Sequence, residues 1–202
     1  MIRIDPFYPV VPSAEWVARL VPAGTRFIQL RLKDKPQDEL RRQVREARAI
    51  CQKHDAALVV NDHWQIAIDE KCAWVHLGQE DLLDADLPAI RRAGLRLGVS
   101  THDHAELEKG LAAQPDYVAL GPIWPTALKK MPWAPQGLER IGEWKTLIGD
   151  RPLVAIGGLT LERAIQCLRA GADCAAVVGD IVNNRDPVAQ ARRWMDELRA
   201  CA

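Results

Sequence analysis

Two apolar runs in ALVVNDHWQIAIDEKCAWVHLGQED, residues 57–81, each end in a cluster of polar side chains. The runs are LVV and WVHLG, and the clusters that follow them are Asn61-Asp62 and Gln79-Glu80-Asp81. Nearly continuous apolar runs of this length are typical of parallel strands that are covered on both faces. The segment therefore predicts two parallel strands that carry amides and carboxylates at their carboxyl ends.

The same pattern repeats along the chain. Apolar runs rich in Val, Ile and Leu alternate with amphipathic stretches, and the runs lie at residues 7–11, 27–32, 57–62, 74–78, 96–101, 117–122, 153–158 and 174–179. Eight strand-like runs separated by helices predict an α/β fold, the (β/α)8 TIM barrel, as a single domain over residues 1–202. A doubly wound open sheet is the competing architecture. No linker, repeat or low-complexity segment indicates a second domain.

Helix signals fill the gaps between the runs. The longest predicted helix covers residues 36–54, with Pro36 in its first turn and one apolar face formed by Leu40, Val44, Ala47, Ile50 and Cys51. Asp103 and Glu106 have the spacing of a capping box. Asp186 opens the last helix in the same style, and Gly171 lies where a helix-terminating glycine is expected.

The composition excludes several classes of partner. Of the 202 residues, 48% are hydrophobic and 27% are charged, which indicates a globular chain. Lys+Arg and Asp+Glu each count 27, so no net charge attracts nucleic acid or an anionic membrane. No apolar run has the length of a membrane span, and the start MIRIDPFYPVVP is unlike a signal peptide. We expect a cytoplasmic protein whose five cysteines, which lack CxxC spacing, are reduced thiols rather than zinc ligands.

Polar residues gather at the predicted carboxyl ends of the strands, where barrels place their chemistry. The polar residues are Gln29, Arg31, Lys33, Asn61, Asp62, Asp81, Ser100, Thr126 and Lys129, and the turns after the last two strands add Gly158, Val178 and Gly179. Taken singly, most have a structural explanation: Arg31 and Lys33 could form a solvated edge, and Asn61-Asp62 could cap a helix. His76 is predicted to be a buried core histidine with satisfied hydrogen bonds.

The convergence of acids and bases on one face has one economical use, the binding of a diphosphate together with Mg²⁺. Mg²⁺ takes carboxylate oxygens and keeps waters and phosphate oxygens, while Arg and Lys neutralise the remaining charge. Asp62 and Asp81 are therefore predicted to share one Mg²⁺ between neighbouring strands. The glycine turns after the last two strands are predicted to hold a monophosphate on backbone N–H groups.

With these motifs in this order, the sequence resembles the thiamine phosphate synthase family from about residue 26 to residue 190. The resemblance is carried by QLRLK (29–33), VVND (59–62), VHLGQEDL (75–82), LGVSTH (97–102), ALGPIWPT (119–126) with Lys129, GLERI (137–141), VAIGG (154–158) and AGAD (170–173). It implies an enzyme that joins hydroxymethylpyrimidine diphosphate to a thiazole phosphate. The products would be thiamine phosphate and diphosphate.

The same resemblance implies roles for the polar residues. The pyrimidine substrate would be contacted, largely through its diphosphate, by Arg31, Lys33, Asn61, Ser100 and Lys129, and Gln29 is predicted to be a further substrate-binding residue. Thr126, Gly158 and Val178-Gly179 would face the thiazole phosphate, and Asp62 and Asp81 would bind Mg²⁺. The implied mechanism is dissociative: diphosphate leaves under electrostatic stabilisation, and the thiazole nitrogen then attacks the pyrimidine methyl cation.

The chain departs from the family pattern mainly on the thiazole side. Leu128 stands where the family usually has a second hydroxyl, and Gly179-Asp180 stands where it usually has serine-alanine. Asp180 would repel a phosphate unless it points away or pairs with a cation. The segment MPWAPQG (131–137) replaces the usual acidic continuation, and the first strand lacks the familiar threonine-aspartate ending.

Two other functions remain open at this point. The thiazole tautomerase of the same fold has histidine where this chain has Pro122, and it has no need of both aspartates. A non-catalytic barrel that binds a thiamine precursor or phosphate is the second alternative. The sequence does not fix the oligomeric state, and a homo-oligomer is compatible with it.

The stretch IWPTALKKMPWAPQ, residues 123–136, is long for a connection inside a compact barrel. It contains Thr126 and Lys129, so its ordering would complete the site, and it is predicted to be a mobile lid over both substrates. Its three prolines favour stiffness. A rigid loop whose tryptophans pack on the barrel rim is therefore the alternative.

Overall fold

The computed structural model describes residues 4–126 and 133–201. Within these ranges eight parallel strands close into a barrel in chain order: β1 (Phe7–Val11), β2 (Phe27–Leu30), β3 (Ala57–Asn61), β4 (Trp74–Leu77), β5 (Arg96–Thr101), β6 (Tyr117–Leu120), β7 (Leu153–Ile156) and β8 (Cys174–Val177). Phe7 on β1 pairs with Ala175 on β8, which joins the first strand to the last. The predicted barrel is confirmed, and the alternative of an open sheet is wrong.

Every strand begins at the residue that the apolar runs predict, and most end one or two residues earlier. Most of the residues left over are polar or glycine, such as Asp62 after β3 and Gly157-Gly158 after β7. They leave the ladder and turn into the loops that follow. This is what places the predicted site residues at one mouth of the barrel.

Helices of the described residues surround the barrel: α1 (Ala14–Leu20), α2 (Gln37–Lys53), α3 (Trp64–Asp69), α4 (Gln79–Asp84), α5 (Leu87–Arg92), α6 (His104–Ala112), α7 (Glu139–Ile148), α8 (Leu161–Arg169), α9 (Gly179–Val182) and α10 (Pro187–Arg199). The predicted face of α2 is buried at Leu40, Val44, Ala47 and Cys51, while Ile50 is partly exposed. Pro36 lies one residue before the first turn, as the N-cap of the helix.

Local side chains fix where several helices begin and end. The Asp103 carboxylate accepts a hydrogen bond from the Glu106 amide at 2.9 Å, and Asp186 accepts one from the amide of Ala189 at 3.0 Å. Gly171 follows α8 with a φ of 107°, a left-handed conformation that glycine adopts without steric cost. The reciprocal half of the capping box is absent from the described contacts, since the Glu106 carboxylate bonds to the His102 ring instead.

Two apolar clusters stabilise the fold. One lies between the strands and the helices and includes the fully buried Trp144 and Trp194. The other consists of strand residues alone and fills the barrel, with Tyr8, Phe27 and Tyr117 at its centre. Because the interior is packed with large side chains, the free space of the barrel is restricted to its mouth.

No helix in the described ranges is long and apolar enough to span a bilayer. All five cysteines are free thiols, and four of them are buried. Burial raises the pKa of Cys51 to about 12 and that of Cys72 to about 11, which keeps both thiols protonated and unreactive at neutral pH.

Candidate active site

A cavity of about 670 Å³ opens at the carboxyl ends of the strands. Its walls bring together nearly all of the predicted site residues: Gln29, Arg31, Lys33, Asn61, Asp62, Asp81, Ser100, Thr126, Gly158, Val178 and Gly179. Lys129 lies outside the described residues. The structure thus brings the described residues of the set together at one mouth of the barrel, and their roles stay predictions.

Asp62 and Asp81 form an acidic pair in this cavity. Asp62 directly follows β3, and Asp81 lies in the first turn of α4 after β4. Burial, followed by the charge of Asp81 and a hydrogen bond between the two carboxyl groups, raises the pKa of Asp62 to about 6, against the opposing effect of Arg31. A carboxyl group that is held this close to a second carboxyl group forms a site that a cation would neutralise.

Asp62 also has an unusual backbone. Its φ is 63°, in the left-handed region, while its N–H remains bonded to the His76 carbonyl of β4 at 2.9 Å. Asp and Asn adopt this conformation more readily than most other residues with side chains. The turn directs the carboxylate away from the ladder and toward Asp81.

Asn61, the last residue of β3, contributes an unpaired donor. The residue is 5% exposed, and its Nδ2 has no hydrogen-bond partner within the described part of the chain. A buried amide donor without a partner is costly, and such groups need a ligand, an ion or water. Since Asn61 lines the cavity, this donor suits an acceptor bound there.

The cationic wall consists of Arg31 and Lys33, which follow β2. Gln29, Arg31 and Lys33 alternate along the chain and all line the cavity, as their spacing predicts. Arg31 is partly exposed and Lys33 is exposed, and within residues 4–126 and 133–201 neither forms a salt bridge. Both charges are therefore available to an anion in the cavity.

A buried hydrogen-bond network lies beneath the cavity. The two ring nitrogens of His76 bond to the Tyr117 hydroxyl and to the Ser100 hydroxyl, each at 2.8 Å. The prediction of a satisfied core histidine is confirmed. Burial lowers the pKa of His76 to about 4, so its ring is neutral near pH 7.

The Gly157-Gly158 turn after β7 packs against the loop that follows β6. A Cβ on Gly157 would lie 2.6 Å from Pro122, and one on Gly158 would lie 2.5 Å from the Pro125 carbonyl. Both glycines have positive φ values, 98° and 67°. Any side chain at these positions would push the loop away from the cavity wall, so both positions require glycine.

Asp180 lines the cavity near the end of β8, but its carboxylate is bonded elsewhere. Its Oδ2 accepts hydrogen bonds from Gln190 Nε2 and Trp194 Nε1, both at 2.7 Å and both on α10. These neutral donors draw the carboxylate toward α10. The expected repulsion of a phosphate is thus reduced by hydrogen bonds to neutral groups rather than by a paired cation.

The cavity also contains residues that the sequence pattern did not single out, among them Tyr8, Glu80 and His102. The His102 ring bonds to Glu106 at 2.6 Å and stacks on Trp133 with the ring centroids 4.0 Å apart. Glu106 belongs to α6, whereas Trp133 lies in the loop between β6 and α7. The LGVSTH motif, which contains His102, was the available signal for this residue.

The described ends of the 123–136 loop are attached to the barrel. The amides of Ile123 and Trp124 bond to the carbonyls of Ile156 and Gly157, and the Gln136 amide bonds to the Pro122 carbonyl at 2.8 Å. Residues 127–132, with Leu128 and Lys129, lie outside the described residues. The predicted lid therefore stays a prediction for the central part of the loop.

Known proteins share this sequence and fold. The family model described as thiamine monophosphate synthase matches residues 7–181. The chain is 59% identical to a thiamine-phosphate synthase of Rhizobium etli over 96% of this chain and 95% of the relative. It is 50% identical to one of Citrobacter koseri, over 89% and 85%. A solved thiamine phosphate pyrophosphorylase from Pyrococcus furiosus superposes with a TM-score of 0.82 at 25% identity, over 96% of both chains. The chain belongs to the thiamine monophosphate synthase family.

Proposed function

We propose that this chain is a thiamine-phosphate synthase. As a transferase it joins hydroxymethylpyrimidine diphosphate to hydroxyethylthiazole phosphate, with release of diphosphate. The observation that carries the proposal is the cavity itself, in which the Asp62–Asp81 pair lies in one wall and Arg31 and Lys33 lie in another. A substrate with a diphosphate needs both kinds of wall, because its charge must be neutralised by a metal ion and by cationic side chains together.

The acidic pair supports a site for Mg²⁺. No group of three or more His, Cys, Asp or Glu side chains within the described ranges could hold a metal, so this chain offers Mg²⁺ two carboxylates. That donor set suits Mg²⁺, which usually takes one or two carboxylates and fills its remaining positions with water and phosphate oxygens. Bound there, Mg²⁺ would supply positive charge to the leaving diphosphate.

On this proposal the protein side chains bind and orient the pyrimidine substrate. Arg31 and Lys33 neutralise the diphosphate as its bond to carbon breaks, and the Nδ2 of Asn61 donates to one of its oxygens. Lys129 is assigned to the same task by its motif. Since the charge on the leaving group grows in the transition state, these contacts accelerate the reaction rather than only tighten binding.

The opposite wall would hold the thiazole phosphate. Thr126, Gly158 and Val178-Gly179 line the cavity there, and the glycine turns allow backbone N–H groups to approach an anion closely. The packed rim would limit access of water to the pyrimidine cation. Its capture by the thiazole nitrogen requires no protein nucleophile.

Both open alternatives are less well supported. A thiazole tautomerase needs neither the acidic pair nor the cationic wall, and Pro122 lines the cavity where that enzyme has histidine. A purely binding barrel would not need the carboxylate pair beside the cations. The relatives of 59% and 50% identity are thiamine-phosphate synthases by name.

The test is incubation of the purified protein with both substrates and Mg²⁺, followed by detection of thiamine phosphate by mass spectrometry. We expect product only when all three are present. Asp81→Ala should abolish this Mg²⁺-dependent turnover while the circular dichroism spectrum stays unchanged, because the side chain is at the cavity surface. Full activity in that variant would overturn the metal assignment, and absence of product with the unaltered chain would overturn the function.

A further inference from the structure

A chain of hydrogen bonds crosses the interior of the barrel and ends in the cavity. Gln29 Nε2 donates to the Tyr8 hydroxyl at 2.8 Å, and the Tyr8 and Tyr117 hydroxyls are 2.9 Å apart. The Tyr117 hydroxyl contacts His76 Nδ1 at 2.8 Å, and His76 Nε2 contacts the Ser100 hydroxyl at 2.8 Å. Tyr8 and Tyr117 are at most 1% exposed, so these bonds form away from bulk water.

Only one direction of donation along this series of hydrogen bonds gives every donor an acceptor. Because Gln29 Nε2 can only donate, Tyr8 accepts that bond and must place its own proton elsewhere. Its one other hydroxyl neighbour in the described contacts is Tyr117, which then donates to His76 Nδ1. His76 Nε2 consequently carries the ring proton and donates to Ser100. The reverse direction would leave the Tyr8 proton buried without an acceptor, at a cost in free energy.

Tyr117 itself does not line the cavity, and the barrel makes room for it. A Cβ on Gly98, its direct neighbour on β5, would lie 2.0 Å from the Tyr117 ring and 2.4 Å from its hydroxyl oxygen. Gly98 has no positive φ that would require glycine, so the requirement here is space. The missing side chain lets the phenol reach His76.

We propose that Tyr117 is a positioning residue for the cavity. It fixes the Nε2–H tautomer of His76 and so leaves the Ser100 hydroxyl proton free to point at a hydrogen-bond acceptor on the bound substrate. The inference rests on the proposed function for the identity of that substrate, whose pyrimidine ring nitrogens and diphosphate oxygens are acceptors. The tautomer itself does not depend on the function.

This direction excludes another use of the same residues. A serine bonded to a histidine that is oriented by a third group is the geometry of an activated nucleophile. Activation would require His76 Nε2 to accept the Ser100 proton, and that is the direction that leaves Tyr8 unsatisfied. The hydrogen-bond series from Gln29 to Ser100, called the relay below, thus makes Ser100 a hydrogen-bond donor to the substrate and not an attacking group.

Nitrogen-15 NMR of the substrate-free protein labelled at its five histidines tests the tautomer directly. In the unaltered chain we expect His76 to be neutral and to carry its proton only on Nε2. In Tyr117→Phe we expect a mixture of the Nδ1–H and Nε2–H tautomers. A His76 ring protonated at Nδ1 in the unaltered chain would overturn the proposal. This readout stays decisive even if no thiamine phosphate is formed, so it separates a failure of the relay from a failure of the function.

Kinetics test whether the relay is used. Tyr117→Phe should lower kcat/KM for the pyrimidine diphosphate by about tenfold to a hundredfold, the effect of losing one oriented hydrogen bond in a buried network. Tyr8→Phe is the matched control, since it leaves Tyr117 able to donate to His76, and we expect a loss of no more than about threefold. Equal losses in the two variants, or none in Tyr117→Phe, would show that the network only stabilises the fold.

A third variant acts without removing a polar atom. Gly98→Ala should displace the Tyr117 ring and reproduce both the mixed tautomer and the lower kcat/KM of Tyr117→Phe. The double variant Gly98→Ala/Tyr117→Phe should then lose no more kcat/KM than Tyr117→Phe alone. Additive losses would contradict a shared path through the Tyr117 hydroxyl.

Discussion

Asp62 combines a partly buried carboxyl group, a left-handed backbone and an acidic neighbour, Asp81. Its raised pKa means that the metal-free folded state binds a proton more readily than the unfolded chain does. The resulting destabilisation is absent below the unfolded pKa of about 4 and complete above the folded pKa of about 6. Metal binding requires both carboxylates to be charged, so affinity for Mg²⁺ should fall as the pH drops below about 6.

Asp62→Asn should therefore make the metal-free protein more stable and the enzyme inactive. Asn keeps the left-handed backbone and removes the repulsion, which should raise the free energy of unfolding at pH 7.5 by on the order of 1 kcal/mol after allowance for solvent screening. Thermal unfolding without Mg²⁺ at pH 7.5 and at pH 4 measures the effect. The gain should vanish at the lower pH, and an equal gain at both values would contradict the charge explanation.

Individual residues also mark how far sequence reasoning reaches. Asp62 and Asp81 were predictable because the end of an apolar run locates them at the mouth of a barrel. The hydrogen bonds of Asp180 were not, because its partners lie 10 and 14 residues further on, in a helix whose orientation only the closed fold determines. The contact between Tyr8 and Tyr117 joins residues 109 positions apart and leaves no local pattern.

Among the elements, the strands were predicted closely and the short helices were not. Parallel strands buried on both faces read as apolar runs, so the first residue of each strand was found correctly. Helices α4, α5 and α9 contain only four to six residues, too few for a helical period to appear in the sequence. Yet α4 carries Asp81, so a functional element was located through its site residue and not through its own periodicity.

The loop between β6 and α7 is the element whose behaviour the structure constrains only at its ends. We expect tryptic cleavage after Lys129 or Lys130 to slow markedly when Mg²⁺, diphosphate and the thiazole phosphate are added together. The reason is that Thr126 and Lys129 would then contact ligands and order the segment between the attached ends. Mass spectrometry of the fragments over time measures the rate.

Trp133→Ala provides a matched comparison for this loop. It removes the stack on His102 at one attached end, so cleavage without ligands should be faster than in the unaltered chain. Ligands should still slow it. Equal cleavage with and without ligands in both proteins would leave the rigid loop as the correct description.

The two ends of the barrel differ: one contains the candidate site, and the other contains contacts that stabilise the fold. The cavity lies at the carboxyl ends of the strands, while Asp5 and Arg199 meet at the opposite end. There the Asp5 carboxylate accepts from the Phe7 amide at 3.0 Å and from Arg199 Nη2 at 2.8 Å, and the same Nη2 also donates to the Gly24 carbonyl. One guanidinium thus joins the start of β1, the loop before β2 and the last helix.

Arg199→Ala should therefore lower the stability of the barrel without changing its activity. The lost contacts lie at the surface but join three segments, so the free energy of unfolding in urea should fall by about 0.5 to 1 kcal/mol. Arg193→Ala is the control, because Arg193 meets Glu162 at only 4.0 Å with both side chains largely exposed, and we expect no measurable loss. In both variants kcat should stay unchanged, since neither arginine lines the cavity. A fall in kcat for Arg199→Ala with the stability unaffected would show that the two ends of the barrel are coupled.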